Sequence, residues 1–147
     1  RWFAADALGE LGKADDRVIE ALLKALGDSE RSARQAAAAA LGRLGKAGDR
    51  AIEALLKALR DSHENVRWAA AGALGQLGKP EDRVIEALLK ALGDSENGFH
   101  WTAAEALGQL GKAEDRVIEA LLKALRDLDR DVRRFAAEAL GQLRKAE

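Results

Sequence analysis

Apolar residues along this chain fall at helical spacings in two kinds of stretch. From Asp16 to Leu26, the residues Val18, Ile19, Leu22, Leu23 and Leu26 line one stripe, with Glu20 and Lys24 one turn apart on the opposite face. This predicts an amphipathic outer helix over about 16–26. A second stretch, about residues 30–43, is built almost wholly from strong helix formers and predicts an inner helix. Between the two, Gly27 predicts a left-handed C-cap, with Gly93 in the same role two repeats on, and Asp28 and Ser29 supply N-cap chemistry for the inner helix. Gly45 predicts where the inner helix stops. No stretch reads as a strand.

The same pattern returns along the chain. The triplet Ala-Leu-Gly begins at Ala7, Ala40, Ala73, Ala106 and Ala139, a constant step of 33 residues. The run from Lys13 to Leu26 returns nearly unchanged from Lys46, Lys79 and Lys112. The repeating units are 1–30, 31–63, 64–96, 97–129 and 130–147, the first and last incomplete. A helix pair this short cannot bury its apolar stripe alone, whereas stacked pairs share one continuous core. The expectation is an all-α protein: a right-handed α-solenoid (superhelix) of antiparallel helix pairs forming a single repeat domain over residues 1–147. The Thr-Pro-Leu-His signature of ankyrin repeats and the Trp/Leu/Gly/Tyr pattern of tetratricopeptide repeats are both missing.

Columns that stay constant from unit to unit must rebuild the same packing at every step. One of them is a mid-helix glycine (Gly9, Gly42, Gly75, Gly108, Gly141), which costs about 1 kcal/mol relative to alanine inside a helix. Its repetition predicts close approach of a neighbouring helix. The columns that differ are Trp2/Gln35/Trp68/Trp101/Arg134, Phe3/Ala36/Ala69/Thr102/Phe135, Asp6/Ala39/Gly72/Glu105/Glu138, Glu10/Arg43/Gln76/Gln109/Gln142 and Ser32/Asn65/Gly98/Asp131. At 100° per residue they share one arc of about 100° on the inner helix. Five of the six aromatic residues lie in these columns; Phe99 stands instead in a core column with Val66 and Val132. Large rigid rings on a varied surface are the usual anchors of a binding face. Trp residues at an inter-repeat seam can equally be core, although Gln35 and Arg134 in the same column argue against full burial.

Composition adds mainly exclusions. Basic and acidic residues number 24 and 25, interleaved to a net charge of −1, so bulk charge recruits neither nucleic acid nor an anionic membrane. The Lys13/Lys46/Lys79/Lys112/Lys145 column with Arg17, Arg50, Arg83 and Arg116 is a candidate phosphate-tracking edge, but acidic residues sit between the two columns in every unit. No apolar run reaches the roughly 18 residues of a spanning helix, and no cysteine is present; together with the lack of a visible signal peptide this gives a cytoplasmic expectation. The two histidines, His63 and His100, lie off the repeat register and form no metal spacing. Carboxylates such as Asp15, Asp16, Glu81 and Asp82 recur at helix starts, where the macrodipole favours them, and are neither singular nor buried as acid/base groups would be. No phosphate loop or nucleophile elbow occurs. Neither catalysis nor a cofactor is expected.

The inner-helix sequence from Asn65 to Gly78 (Asn65, Val66, Arg67, Ala70, Ala71, Ala73, Leu74, Gly75, Leu77, Gly78) resembles the short HEAT-like repeat of bilin-lyase-type proteins, bacterial multidomain proteins and artificial consensus scaffolds. The resemblance covers the whole chain. It implies a ladder between neighbouring units, in which Asp28, Asp61, Asp94 and Asp127 meet Arg34, Arg67 and Arg133; His100 stands in the Arg column and weakens one rung. It also implies that the inner helices line a concave side. Pigment lyase activity is suggested only by this likeness.

The function expected is a protein- or peptide-binding scaffold using that inner-helix face. Trp68 and Trp101 are the anchors, with Trp2, Phe3, Asp6, Gln35, Asn65, His100, Thr102, Glu105, Arg134 and Glu138 completing the partner-binding set. The alternative is an assembly segment of a larger solenoid, existing as a monomer or in weak end-to-end self-association.

Overall fold

The computed structural model describes residues 16–45, 48–94 and 100–146. Among them are eight helices and no strand. The outer helices α1 (Asp16–Ala25), α3 (Asp49–Ala58), α5 (Asp82–Gly93) and α7 (Asp115–Ala124) start at 33-residue intervals, as the sequence repeat requires. They alternate with the inner helices α2 (Arg31–Leu44), α4 (Glu64–Leu77), α6 (His100–Leu110) and α8 (Arg130–Ala146).

Two compact units divide the chain, Arg1–Leu77 and Gly78–Glu147. In the first, α1 packs on α2 and α3 on α4, and the two pairs join mainly through α2 against α4. Leu22, Leu41, Ile52, Leu55 and Leu74 are almost fully enclosed there, with alanines filling the gaps between close helices. The second unit repeats the scheme: α5 packs on α6, α7 on α8, and α6 lies along α8, around Ile85, Leu88, Leu107, Leu121 and Leu143.

The glycine column explains how close the inner helices come. A Cβ built on Gly42 would stand 2.7 Å from the Ala73 Cα, and one on Gly108 would stand 2.8 Å from the Ala139 Cα. Nothing larger than hydrogen fits at these crossings. Gly141, in the same column of α8, has open space instead. The glycines after the inner helices play a different part: Gly45, Gly78 and Gly111 all take positive φ, between 66° and 70°, and so end their helices in the left-handed conformation that glycine adopts without strain.

Two cap expectations are corrected. Neither Gly27 nor Gly93 is left-handed: positive φ among the described residues is confined to the three glycines just named, and Gly93 is still helical. The outer helices end through right-handed residues such as Leu59 and Leu125, which is why Arg60 and Arg126 can replace glycine in this column. At the inner-helix start, Glu30 is the N-cap of α2 and makes no side-chain cap bond. Asp28 instead accepts the Glu30 backbone N–H at 2.8 Å, bracing the turn rather than the helix. Asp61 does the same for His63, and Asp127 for Asp129.

Candidate functional site

The Arg column holds neighbouring pairs together in the first unit. Arg34 donates through Nη1 to the Asp28 carbonyl of its own turn and through Nε and Nη2 to both carboxylate oxygens of Asp61 in the next pair, at 2.9 and 3.1 Å. In the second unit His100 copies this reach only in part. Its Nδ1 lies 3.3 Å from the Asp94 carbonyl, while Nε2 stops 3.7 Å from Asp127 Oδ1. The rung expected to be weak is the longer of the two.

The varied inner-helix columns are half-exposed or exposed with one exception. Gln35, Asn65 and Trp68 are half-buried in the first unit. In the second unit Trp101 and Glu105 are half-buried on α6, and Arg134 and Glu138 are exposed on α8. The exception is the column at the edge of the arc. Ala36, Ala69 and Thr102 are buried, whereas Phe135 in the same column of α8 is half-buried. Thr102 is only 2% exposed and therefore offers no contact to a partner, and His100, at 8%, is taken up by the ladder; the structure removes both from the candidate face. Trp2, Phe3 and Asp6 lie outside the described residues.

In the second unit two of the expected side chains, Trp101 and Arg134, meet at Phe135, which the expected set lacked. The Trp101 ring stacks on Phe135, with centroids 4.8 Å apart and planes at 29°. The Arg134 guanidinium lies 5.3 Å from the Phe135 ring centre and pairs with Glu138 one turn on, at 3.3 Å. Glu105 stands one turn beyond Trp101 on α6. Its burial, and then the negative charge of Glu138, push its carboxyl above the ordinary glutamate value. Phe135 was legible only as an aromatic in a varied column. That it would meet Trp101 depends on the offset between α6 and α8, which the close Gly108–Ala139 crossing sets.

Among the described residues, the arginine column of the outer helices is paired rather than free. Arg50 bonds Glu20. Arg83 bonds Glu81 at 2.9 Å, and Arg116 bonds Glu114 at 2.7 Å and Asp82 at 3.1 Å. Hydrogen bonds from Lys112 and Arg116 hold the Glu114 carboxyl below its ordinary range. Among the described residues no cluster of three or more His, Asp or Glu side chains is arranged for a metal, and no helix is long and apolar enough to cross a membrane.

A stack of helix pairs with an Asp–Arg rung between them matches the family described as HEAT repeats over residues 1–59, 19–99 and 85–147. The chain belongs to the HEAT-repeat family. Among solved structures, this HEAT-repeat chain is similar to the complex of CpcE and CpcF of phycocyanin lyase from Nostoc sp. PCC7120, with 29% identity and a TM-score of 0.83 over 99% of this chain and 59% of that one. Human deoxyhypusine hydroxylase in complex with glycerol follows at 28% identity and TM-score 0.71, over 90% of this chain and 45% of that one. The chain thus spans well under two thirds of either. A computationally designed armadillo repeat protein for modular peptide recognition shares the fold at 23% identity and TM-score 0.60, over 97% of this chain and 80% of that one. No curated protein sequence matches the chain.

Proposed function

We propose that this HEAT-repeat chain is a protein- or peptide-binding scaffold that works through the inner-helix face. The observation that carries the reading is the Trp101–Phe135 stack with Glu105 and Glu138 beside it. Two rings presented on rigid helices give an apolar platform at little entropic cost, and the adjoining carboxylates select what lands on it. Glu105 makes no ion pair among the described residues, and its charge is disfavoured by burial and by Glu138. A lysine or arginine from a partner, its stem across the rings and its cation at Glu105, relieves that cost. Gln35, Asn65 and Trp68 occupy the corresponding columns of the first unit and are candidate contacts there. The Nostoc relative supports association as a theme, since its structure is a complex of two proteins.

The test is panning against a random peptide library followed by titration of the selected peptides. Enrichment of basic and aromatic residues, with affinity lost on Trp101→Ala and Glu105→Gln, supports the reading. Selected peptides that bind the two variants as tightly as the parent reject it.

A second reading, association through a repeat face, is favoured by α8. Gly141 there leaves open the notch that Ala73 and Ala139 fill at Gly42 and Gly108, and Leu122 on α7 is 50% exposed. Concentration-dependent mass in light scattering, abolished by Gly141→Leu, distinguishes this reading from the first.

A further inference from the structure

Residues 82–92 and 115–125 have the same sequence, and so do residues 103–110 and 136–143. The first segment of each match lies on α5 or α6 and the second on α7 or α8, so the two helix pairs carry the same set of packing side chains. On the first pair those side chains are covered, because α7 packs on α5 and α8 on α6. Ile85, Leu92, Ala104 and Leu107 are buried, and Leu89 is half-buried. On the second pair the equivalent residues come into view. Leu122, Leu125 and Ala137 are exposed, and Ile118 and Leu140 are half-buried. Ile118, Leu122 and Leu125 form one stripe at helical spacing. The three exposed large apolar side chains among the described residues, Leu122, Leu125 and Leu128, all lie on α7 or the turn after it, whereas an ordinary surface scatters such residues singly.

The polar groups of this face are unmet in the same register. Between α5 and α7, Arg116 reaches back to Asp82 at 3.1 Å and to Glu86 at 3.6 Å. Asp115 and Glu119 stand at the equivalent positions of α7, exposed, and neither carboxylate has a partner among the described residues. Arg34 and Arg133 each donate through Nη1 to two carbonyls of their own turn, Asp28 and Ser29 for one, Asp127 and Leu128 for the other. Arg34 directs Nε and Nη2 to Asp61 of the next pair, whereas on Arg133 those two donors are unpaired among the described residues. Gly141 completes the set: the notch that Ala139 fills at Gly108 stands open there.

We infer that the face formed by α7 and α8 docks a helix pair of this same repeat type contributed by another protein chain. The first helix of that pair lays an apolar stripe along Ile118, Leu122 and Leu125 and brings an arginine near its start to Asp115 and Glu119. Its turn brings an aspartate to the free fork of Arg133, a two-point contact that only a carboxylate matches. Its second helix sets an alanine into the Gly141 notch. A pair is required because the unmet groups lie in two rows, one on α7 and one on α8, and each row is met by a different helix in the contact that α5 and α6 already make. That contact joins unlike sides of successive pairs, so the docked chain adds head-to-tail and not as a symmetric twin. The inference rests on the reading of α8 as an associating face and names what associates with it.

The test is titration of the whole chain into a fluorescein-labelled helix hairpin of residues 112–147, followed by anisotropy. The hairpin carries Leu122→Glu and Gly141→Leu, which block its own far face and stop growth at one copy. The expected result is saturable one-to-one binding with a gain in helical circular dichroism. Glu119→Arg in the chain disturbs no contact among the described residues; it should weaken binding roughly tenfold or more, and Arg116→Glu in the hairpin should restore most of the loss. Gly141→Leu in the chain should abolish binding. A single-helix peptide of residues 112–126 should bind roughly tenfold or more weakly than the hairpin, because it leaves Arg133 and the Gly141 notch unmet. No binding of the hairpin, or equal binding to the parent, Glu119→Arg and Gly141→Leu chains, overturns the inference. Light scattering on the chain alone separates the two levels of the reading. A chain that self-associates and ignores the hairpin keeps the association and overturns the partner assigned here, whereas a monomeric chain that binds the hairpin supports that partner.

Discussion

Arg34 and Asp61 form a two-point ion pair between consecutive helix pairs, with side chains only 16% and 14% exposed. Burial opposes ionisation of Asp61, but the bonds from Arg34 and the His63 N–H outweigh it and hold the carboxyl below its ordinary value. Because the folded value is the lower one, the stability this pair contributes is fully present above the unfolded aspartate value, about 3.9. It is lost as pH falls through the folded value. Asp61→Asn should therefore cost roughly 1.5–3 kcal/mol at neutral pH. Urea melts at pH 7 and pH 3 should show the gap between parent and variant shrinking in acid.

The glycine column separates packing from propensity. Gly42→Ala and Gly108→Ala drive a methyl group into Ala73 and Ala139 of the facing helices, and each should cost about 1–3 kcal/mol. Gly141→Ala meets nothing and gains helix propensity, so it should stabilise by about 0.5–1 kcal/mol. Thermal melts of the three variants should show opposite signs for an identical substitution.

Thr102 holds a buried hydroxyl with no hydrogen-bond partner in a column where Ala36 and Ala69 serve the other repeats. Thr102→Ala removes that unmet need and restores a better helix former. An increase in stability of roughly 1 kcal/mol is expected. Denaturant titration checks it; a loss of stability would show that the hydroxyl is satisfied in solution.

Glu105 titrates in the opposite sense to Asp61. Burial and the Glu138 charge raise its folded value above the unfolded one, so its ionised form costs stability at neutral pH, and the cost disappears as pH falls through the raised value. Glu105→Gln should raise the melting temperature at pH 7 and leave it nearly unchanged at pH 3.5. Binding of a basic peptide should weaken over the same fall in pH for the parent chain and not for the variant.

The repeat and the helix pairs were readable because each rests on residues recurring at a fixed step, whereas the Arg–Asp rung was implied only by the resemblance to short HEAT-like repeats. Gly42 was readable as a crossing because its column recurs at that same step. The cap at Gly27 was misjudged because glycine after a helix has two uses, and only the backbone shows which applies; Arg60 and Arg126 at the equivalent positions were the available clue. Thr102 was placed on the wrong side because a helical wheel assigns an angle but not where burial begins, and its column lies at that boundary. Phe135 and Trp101 occupy different columns, so their contact depends on the offset of α8 against α6, a tertiary quantity that a periodic sequence does not encode.

The central claim, recognition by the inner-helix face, is tested most directly by the double variant Trp68→Ala, Trp101→Ala. Affinity for a peptide selected on the parent chain and far-UV circular dichroism through thermal melting are measured on the same samples. The account predicts unchanged helical content and melting within a few degrees, with affinity reduced at least thirtyfold, equivalent to about 2 kcal/mol. Collapse of the melting transition, or full retention of affinity, would place these rings in the packing of the repeats and not on a recognition surface.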